Sequence, residues 1–359
     1  MSNKKKVVIA MSGGVDSSVA AGLLVKANYE VIGISLKLFD VEQEEKSPGC
    51  CGIQGIEDAR TVSKKLGIPF YAINYTKKFR EEVVKYFCSE YTKGRTPNPC
   101  IICNKKIKFG YLLQKAKELG ADYIATGHYA KVDYNKVLRR YILRKGKDKK
   151  RDQSYFLFSL SQEQLKHTLF PLGDYTKEEV RSLAKEFGLN VHNKRASQDV
   201  CFITDADYHK FLRKQLKNKC QTGLIVRTKG EEVGKHQGIA FYTIGQRKGI
   251  GCHSKPMYVT GIDKKKNVIV IGEEKELYKD FLIAKDVNWI DRENLTKPLK
   301  ITARIRYRNK ENEAIVSPFK RGLIKVKFTK PQRAITSGQA VVFYNRDKVV
   351  GGGWIKNEE

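Results

Sequence analysis

The sequence predicts an α/β fold, a parallel sheet domain with helices on both faces, followed by a small middle domain and a C-terminal β-barrel. Three observations lead there. An apolar run, Val7 to Met11, breaks at Ser12-Gly13-Gly14-Val15-Asp16-Ser17 and passes into a segment with Val19, Leu23 and Leu24 at helical spacing. Strand-like runs then alternate with helical patterns as far as Thr126. From about Gly223 the texture changes to short alternating runs separated by turns.

Each element has its own signal. The first strand ends in two adjacent glycines, which let backbone N–H groups approach an anion, while Ser12, Ser17 and Ser18 add hydroxyl donors at a helix start. No Lys-Ser/Thr pair follows the last glycine, so this is not a Walker A loop, and the G-x-G-x-x-G spacing is absent too. Glu30 to Leu36, Phe70 to Asn74 and Tyr123 to Thr126 read as the second, third and fourth strands. A loop through Cys50-Cys51-Gly52 precedes a helix carrying Ile56, Ala59, Val62 and Leu66. Such alternation places a ligand at the carboxyl ends of the strands, where the glycine turn lies. From Lys300 the pattern is plain β: Ile301, Ala303, Ile305 and Tyr307 alternate with Thr302, Arg304, Arg306 and Arg308, one face core and the other cationic. Ile324, Val326 and Phe328 against Lys325 and Lys327 repeat the design.

With 359 residues the chain has room for several cores, and the boundaries read as 1–209, 210–279 and 280–359. No run approaches the roughly twenty apolar residues of a membrane span, and the lysine-rich start lacks a signal peptide's apolar region, so a cytoplasmic protein is expected. The net charge of +30, from 69 Lys+Arg against 39 Asp+Glu, suits a polyanionic partner and equally a solvated lysine-rich surface. Eight cysteines in such a chain point to catalysis or metal rather than a disulfide framework. Cys88, in a helical pattern with Phe79, Val83 and Phe87, reads as a core residue.

Between the third and fourth strands, Thr96-Pro97-Asn98-Pro99-Cys100-Ile101-Ile102-Cys103-Asn104 leads into a helix expected to begin near Lys106. That would put Cys103 at a helix N-terminus among lysines, a setting that favours thiolate, with half of a zinc site as the other reading. Gly127-His128 falls at the sheet's ligand edge. The basic run Lys145 to Arg151 ends in Asp152-Gln153-Ser154-Tyr155-Phe156, which suits a phosphate backbone and a stacked base. Cys201, in Ser197-Gln198-Asp199-Val200-Cys201-Phe202, is a second candidate thiol.

S-G-G-x-D-S resembles the PP-loop of ATP pyrophosphatases, the adenine nucleotide α-hydrolase-like fold. With N-P-C-x-x-C-N, A-T-G-H-Y-A, D-Q-S-Y-F, S-Q-D-V-C-F, F-Y-T-I-G-Q-R-K-G and the closing G-G-G-W-I, it resembles the tRNA-specific 2-thiouridylase (MnmA) family from about Val7 to Ile355. The resemblance implies that the C2 oxygen of the wobble uridine, position 34 of Lys, Glu and Gln tRNAs, is adenylated and displaced by sulfur, releasing AMP and pyrophosphate. It implies ATP with Mg2+ at Ala10, Met11, Ser12, Gly13, Gly14, Val15, Asp16 and Ser17, helped by Leu36 and Gly127. It implies Cys103 as nucleophile and Cys201 as persulfide carrier. It places Asn98, Pro99, Cys100, His128, Arg151, Asp152, Gln153, Arg306, Tyr307 and Gln339 against tRNA. The expected partners are tRNA and a sulfur-donor protein, and the expected state is a monomer. Many members carry Asp where this chain has Cys100, and Cys100, Cys103 and Cys201 as thiolate ligands of a [4Fe–4S] cluster form the competing sulfur route. Two other readings are a PP-loop ligase or amidotransferase acting on a small molecule, and a plain RNA-binding protein with a relic loop.

Overall fold

Val7, Val8 and Ile9 are fully buried and make up the middle of β1 (Lys6–Ala10), the central strand of the first sheet. The structure is a computed structural model and describes residues 4–38, 53–191, 200–203, 207–217 and 220–356. The sheet also holds β2 (Glu30–Lys37), β3 (Phe70–Asn74) and β4 (Tyr123–Ala125), close to the expected spans. A hairpin of β5 (Ala130–Asn135) and β6 (Arg140–Lys145) follows, and then β7 (Thr168–Leu169), too short to leave a pattern in the sequence. The sheet order is β3-β2-β1-β4-β7 with every pairing parallel. Strand order reverses between β1 and β4, and ligands of open α/β sheets bind at that switch point. Helices α1 (Val15–Lys26) and α2 (Ile53–Leu66) bury Val19, Leu24, Ala59 and Val62 in the sheet's core.

The chain divides into two compact units. The first is Met1–Val83 with Cys100–Ala206 and Asp347–Val349, and the second is Val84–Pro99 with Asp207–Arg346 and Val350–Glu359. In the second unit the helix Lys85–Thr92 meets the helix Tyr208–Leu216 through Phe87 on Phe211 and through Tyr91 stacked on Tyr208 at 5.6 Å. A four-stranded sheet follows, built from β8 (Gly223–Arg227), β9 (Glu232–His236), β10 (Tyr258–Asp263) and β11 (Val268–Gly272) in the order β10-β11-β8-β9. Asn267, at φ 52°, turns the β10–β11 hairpin.

The barrel consists of β12 (Tyr278–Trp289), β13 (Leu299–Arg304), β14 (Asn312–Pro318), β15 (Ile324–Arg333), β16 (Ala340–Asn345) and β17 (Lys348–Lys356). Closure rests on β12, which pairs antiparallel with β15 through its first half and with β17 through its second. Register shifts at Lys279/Phe281 and Lys285/Asn288, with Asp286 at φ 50°, bend the strand enough to serve both. Ile301, Ala303, Val326, Phe328 and Val341 fill the interior, as their alternation predicts.

Candidate active site

The loop after β1 is shaped by one glycine rather than two. Gly13 takes φ +73°, and a Cβ there would meet Gly55 O of α2 at 2.2 Å, so both backbone and neighbour exclude a side chain. Gly14 has φ −87° and ψ 160°, extended backbone open to any residue, and caps α1. Its carbonyl accepts from Ser18 N at 3.2 Å, Ser17 Oγ at 3.1 Å and Ser18 Oγ at 2.9 Å. Ser18 is wholly buried, so its hydroxyl braces the helix start instead of serving an anion. The Ser12 N–H donates to Ser17 Oγ at 3.2 Å, which folds the loop back on the first turn of α1. Met11 is core: its N–H donates to Ile34 O and its carbonyl accepts from Ser35 Oγ, while Ala10 and Leu36 are half-buried on the same strands.

Asp16, on the first turn of α1, is held by partners from far along the chain. Its Oδ1 accepts from Tyr129 Oη at 2.7 Å and from Lys177 Nζ at 2.6 Å. Lys177 is 5 % exposed, an ammonium taken out of water and matched to a carboxylate. It opens the helix Lys177–Glu186, whose Thr176–Glu179 capping box and Lys177 N–H to Asp148 Oδ2 bond at 3.0 Å fix that end. Burial, and then the Asp16 charge, push the Tyr129 hydroxyl far above its ordinary range, so it stays a donor. Sequence reasoning missed Lys177 because nothing local distinguishes it from its many lysine neighbours. Gly127 closes the site from β4: a Cβ there would meet Asp16 C and Ser17 N, each at 2.8 Å.

His128 is buried between the rings of Phe109 and Phe170, at 6.0 and 6.1 Å. Burial, helped by Lys108, drives its pKa well below the usual imidazole value, so the ring is neutral, and Nδ1 bonds Thr126 Oγ1 at 2.7 Å. The segment expected to grip RNA works first on itself. Asp152 is buried, its Oδ1 accepting from Gly146 N and Ser154 N and its Oδ2 from Ser154 Oγ. Gln153 pairs with the Tyr129 backbone in both directions, and Arg151 is half-buried beside them. Tyr155 is completely buried, so it is not the stacking platform that the sequence suggested.

The chain is helical from Pro99, not from Lys106. Pro99–Ile102 is α-helical, Cys103–Tyr111 is wound as a π-helix and Leu112–Glu118 is α-helical again. Proline suits a first helical position because it lacks the N–H that would be unpaired there. Cys100, not Cys103, therefore occupies the first turn, and Cys103 lies one turn in at 9 % exposure. Asn104 Nδ2 donates to Phe156 O at 3.2 Å, tying the thiol motif to the D-Q-S-Y-F segment. Gln164 Nε2 reaches Lys105 O at 3.1 Å and Phe109 O at 2.7 Å, carbonyls of the π segment. Cys201 is half-buried in a turn whose Phe202 packs on Phe79 at 5.7 Å. Cys50, Cys51 and Ser197 to Asp199 lie outside the described residues. Among the described residues no three His, Cys, Asp or Glu side chains form a metal-sized group, so Cys100, Cys103 and Cys201 are not gathered as cluster ligands. Burial raises the Cys88 thiol to about 11, as befits a packing residue.

Asn98, Pro99, Arg306, Tyr307 and Gln339 belong to the second unit. Strand β13 ends at Arg304, so Arg304, Arg306 and Arg308 do not line one strand face. Arg304 is 14 % exposed at its side chain, paired with Glu311 at 2.8 Å and lying over the Tyr344 ring. Arg306 Nη2 donates to Ala334 O at 2.7 Å and Thr336 Oγ1 at 2.6 Å, and Arg308 is exposed. Gln339 Nε2 donates to Thr96 O and Pro97 O.

Comparison with known proteins accounts for both units. The tRNA methyl transferase HUP domain family matches residues 5–205, the tRNA methyl transferase PRC-barrel domain family residues 209–273, and the aminomethyltransferase beta-barrel domain family residues 279–355. A tRNA-specific 2-thiouridylase MnmA of Clostridioides difficile is 51% identical over 354 residues, covering 98% of each chain. That of Clostridium acetobutylicum is 51% identical over 98% of this chain and 99% of its own. That of Acetivibrio thermocellus is 49% identical over 99% of this chain and 100% of its own.

Proposed function

The chain belongs to the tRNA-specific 2-thiouridylase family, a family of tRNA sulfurtransferases, and on that premise we propose that it makes 2-thiouridine at the wobble position of Lys, Glu and Gln tRNAs. The observation that carries the chemistry is the Ser12–Ser17 loop at the sheet's switch point, with Gly127 closed onto it and Asp16 fixed by Tyr129 and Lys177. Such a cradle suits the triphosphate of ATP, which arrives as its Mg2+ complex with Asp16 as the loop's carboxylate.

The uracil O2 attacks the α-phosphorus, the bond to the β-phosphate breaks and pyrophosphate leaves, so that C2 carries AMP as its leaving group. Sulfur then adds at C2 and AMP departs. In the persulfide route the outer sulfur on Cys201 adds to C2. The Cys103 thiolate attacks the inner sulfur, releasing 2-thiouridine and leaving a Cys103–Cys201 disulfide for an external dithiol to reduce. The sulfur-donor protein reloads Cys201. Half-buried Arg151 and Gln153 meet the anticodon, while buried Asp152 braces their loop through Gly146 and Ser154 and buried, neutral His128 packs behind it.

The test is the product of ATP cleavage. With unmodified tRNA present, AMP and pyrophosphate should form in step with 2-thiouridine, and Asp16→Ala should abolish both. ADP and phosphate as products would sink the mechanism.

A further inference from the structure

Thr96 stands two residues before Asn98, and each of its polar groups is bonded within the second unit. Its N–H donates to Ser337 O at 2.9 Å, its carbonyl accepts from Gln339 Nε2 at 3.0 Å, and its hydroxyl donates to Thr243 Oγ1 at 3.1 Å. Ser337 and Gln339 lie between β15 and β16 of the barrel, and Thr243 lies in the F-Y-T-I-G-Q-R-K-G motif. Gly338 allows the approach: at φ +85°, a Cβ would meet Arg95 Cβ at 2.9 Å and Thr96 O at 3.1 Å. The far end of the same barrel turn is tied by Arg306 through Ala334 O and Thr336 Oγ1.

We propose that Thr96 is the positioning residue of the thiol loop, and that Gln339 acts on the reaction through it from the protein side, on a turn whose far end Arg306 holds. This rests on the thiolation reading above. The residues that follow Thr96 are Pro97, Asn98 and Pro99, and neither proline has an N–H with which to fix the backbone. Thr96, together with the Pro97 carbonyl that Gln339 Nε2 also reaches at 3.3 Å, is therefore where hydrogen bonds from barrel and middle-domain motif set the course of the segment that continues into Cys100 and Cys103.

The test uses the full-length protein with Thr96→Val and, separately, Gln339→Met. Hydrogen exchange across residues 94–103 and alkylation of Cys103 are measured without ATP or tRNA, and kcat and tRNA Kd are measured in thiolation. Both variants should speed exchange and alkylation about tenfold and lower kcat about tenfold, with tRNA Kd within about twofold. Thr96→Ser, which keeps the hydroxyl, should restore the wild-type alkylation rate. Weaker tRNA binding by Gln339→Met at unchanged exchange and alkylation would make Gln339 a contact only and overturn the proposal. Faster exchange with unchanged kcat would overturn it as well. Exchange and alkylation judge the anchor without thiolation, so a wild-type protein that failed to thiolate tRNA would count against the function and not against the anchor.

Discussion

His128 carries its own pH signature. Its ring is neutral in the folded chain because burial disfavours the imidazolium. Below about pH 6.5 the unfolded chain binds a proton there that the folded chain refuses, so acidification destabilises the fold by up to about 1.4 kcal/mol per pH unit. Above that pH both states are neutral and the dependence vanishes. Between pH 7 and pH 5 the wild type should therefore lose up to about 2 kcal/mol more than His128→Phe, measured by urea unfolding. Parallel curves for the two proteins would refute the assignment. Lys177 gives a second residue-scale expectation. Lys177→Met leaves Asp16 with Tyr129 as its remaining donor and should cost about 1.5–3 kcal/mol in stability or ATP affinity. An unchanged Tm together with unchanged ATP binding would show that the ion pair is idle.

Among the elements, the helix from Pro99 to Glu118 departs furthest from its sequence signal. Apolar spacing located the helix but not its π-wound middle, because Ile107, Phe109, Leu112 and Leu113 satisfy either winding. A long-range side chain, Gln164, caps two of its carbonyls, and no local pattern announces that. Gln164→Leu should cost about 0.5–1.5 kcal/mol by removing this side-chain donor from carbonyls that the helix ladder also uses, read as a lower urea midpoint. No shift in that midpoint would mean that other donors replace the amide. The parallel strands were legible for the opposite reason: Val7 to Ala10, Glu30 to Leu36 and Phe70 to Asn74 are short runs bounded by turns or helices. The geometry of the candidate site was legible wherever it is local, as in the Ser12–Ser17 turn after β1 and Gly127-His128 after β4. It was not where the partner is remote, as with Lys177, or where a side chain turns inward, as with Tyr155 and Arg304.

At the scale of the whole molecule, the charge of +30 favours polyanions, and the number of phosphates contacted sets how strongly salt opposes their binding. The individual cations do not count equally. Arg304 is already neutralised by Glu311, whereas Arg308 is exposed just beyond the end of β13. If the barrel takes part in tRNA binding, Arg308→Ala should flatten the slope of log Kd against log salt by about one, and Arg304→Ala should leave it alone. The reverse ranking would place the RNA on a different face. Fold stability should rank them the other way, since Arg304 is paired with Glu311 and Arg308 is in no ion pair among the described residues.

The bond between Lys177 and Asp16 spans 161 positions of the chain. A ribosome adding about 5–20 residues per second needs roughly 8–32 s to go from one to the other. For that interval the aspartate of the nucleotide loop exists without its ammonium, and for most of it without Tyr129 as well. The first motif to be synthesised is thus among the last to be completed, and a nascent chain halted before residue 177 carries a loop of the right sequence whose carboxylate still lacks its counter-ion.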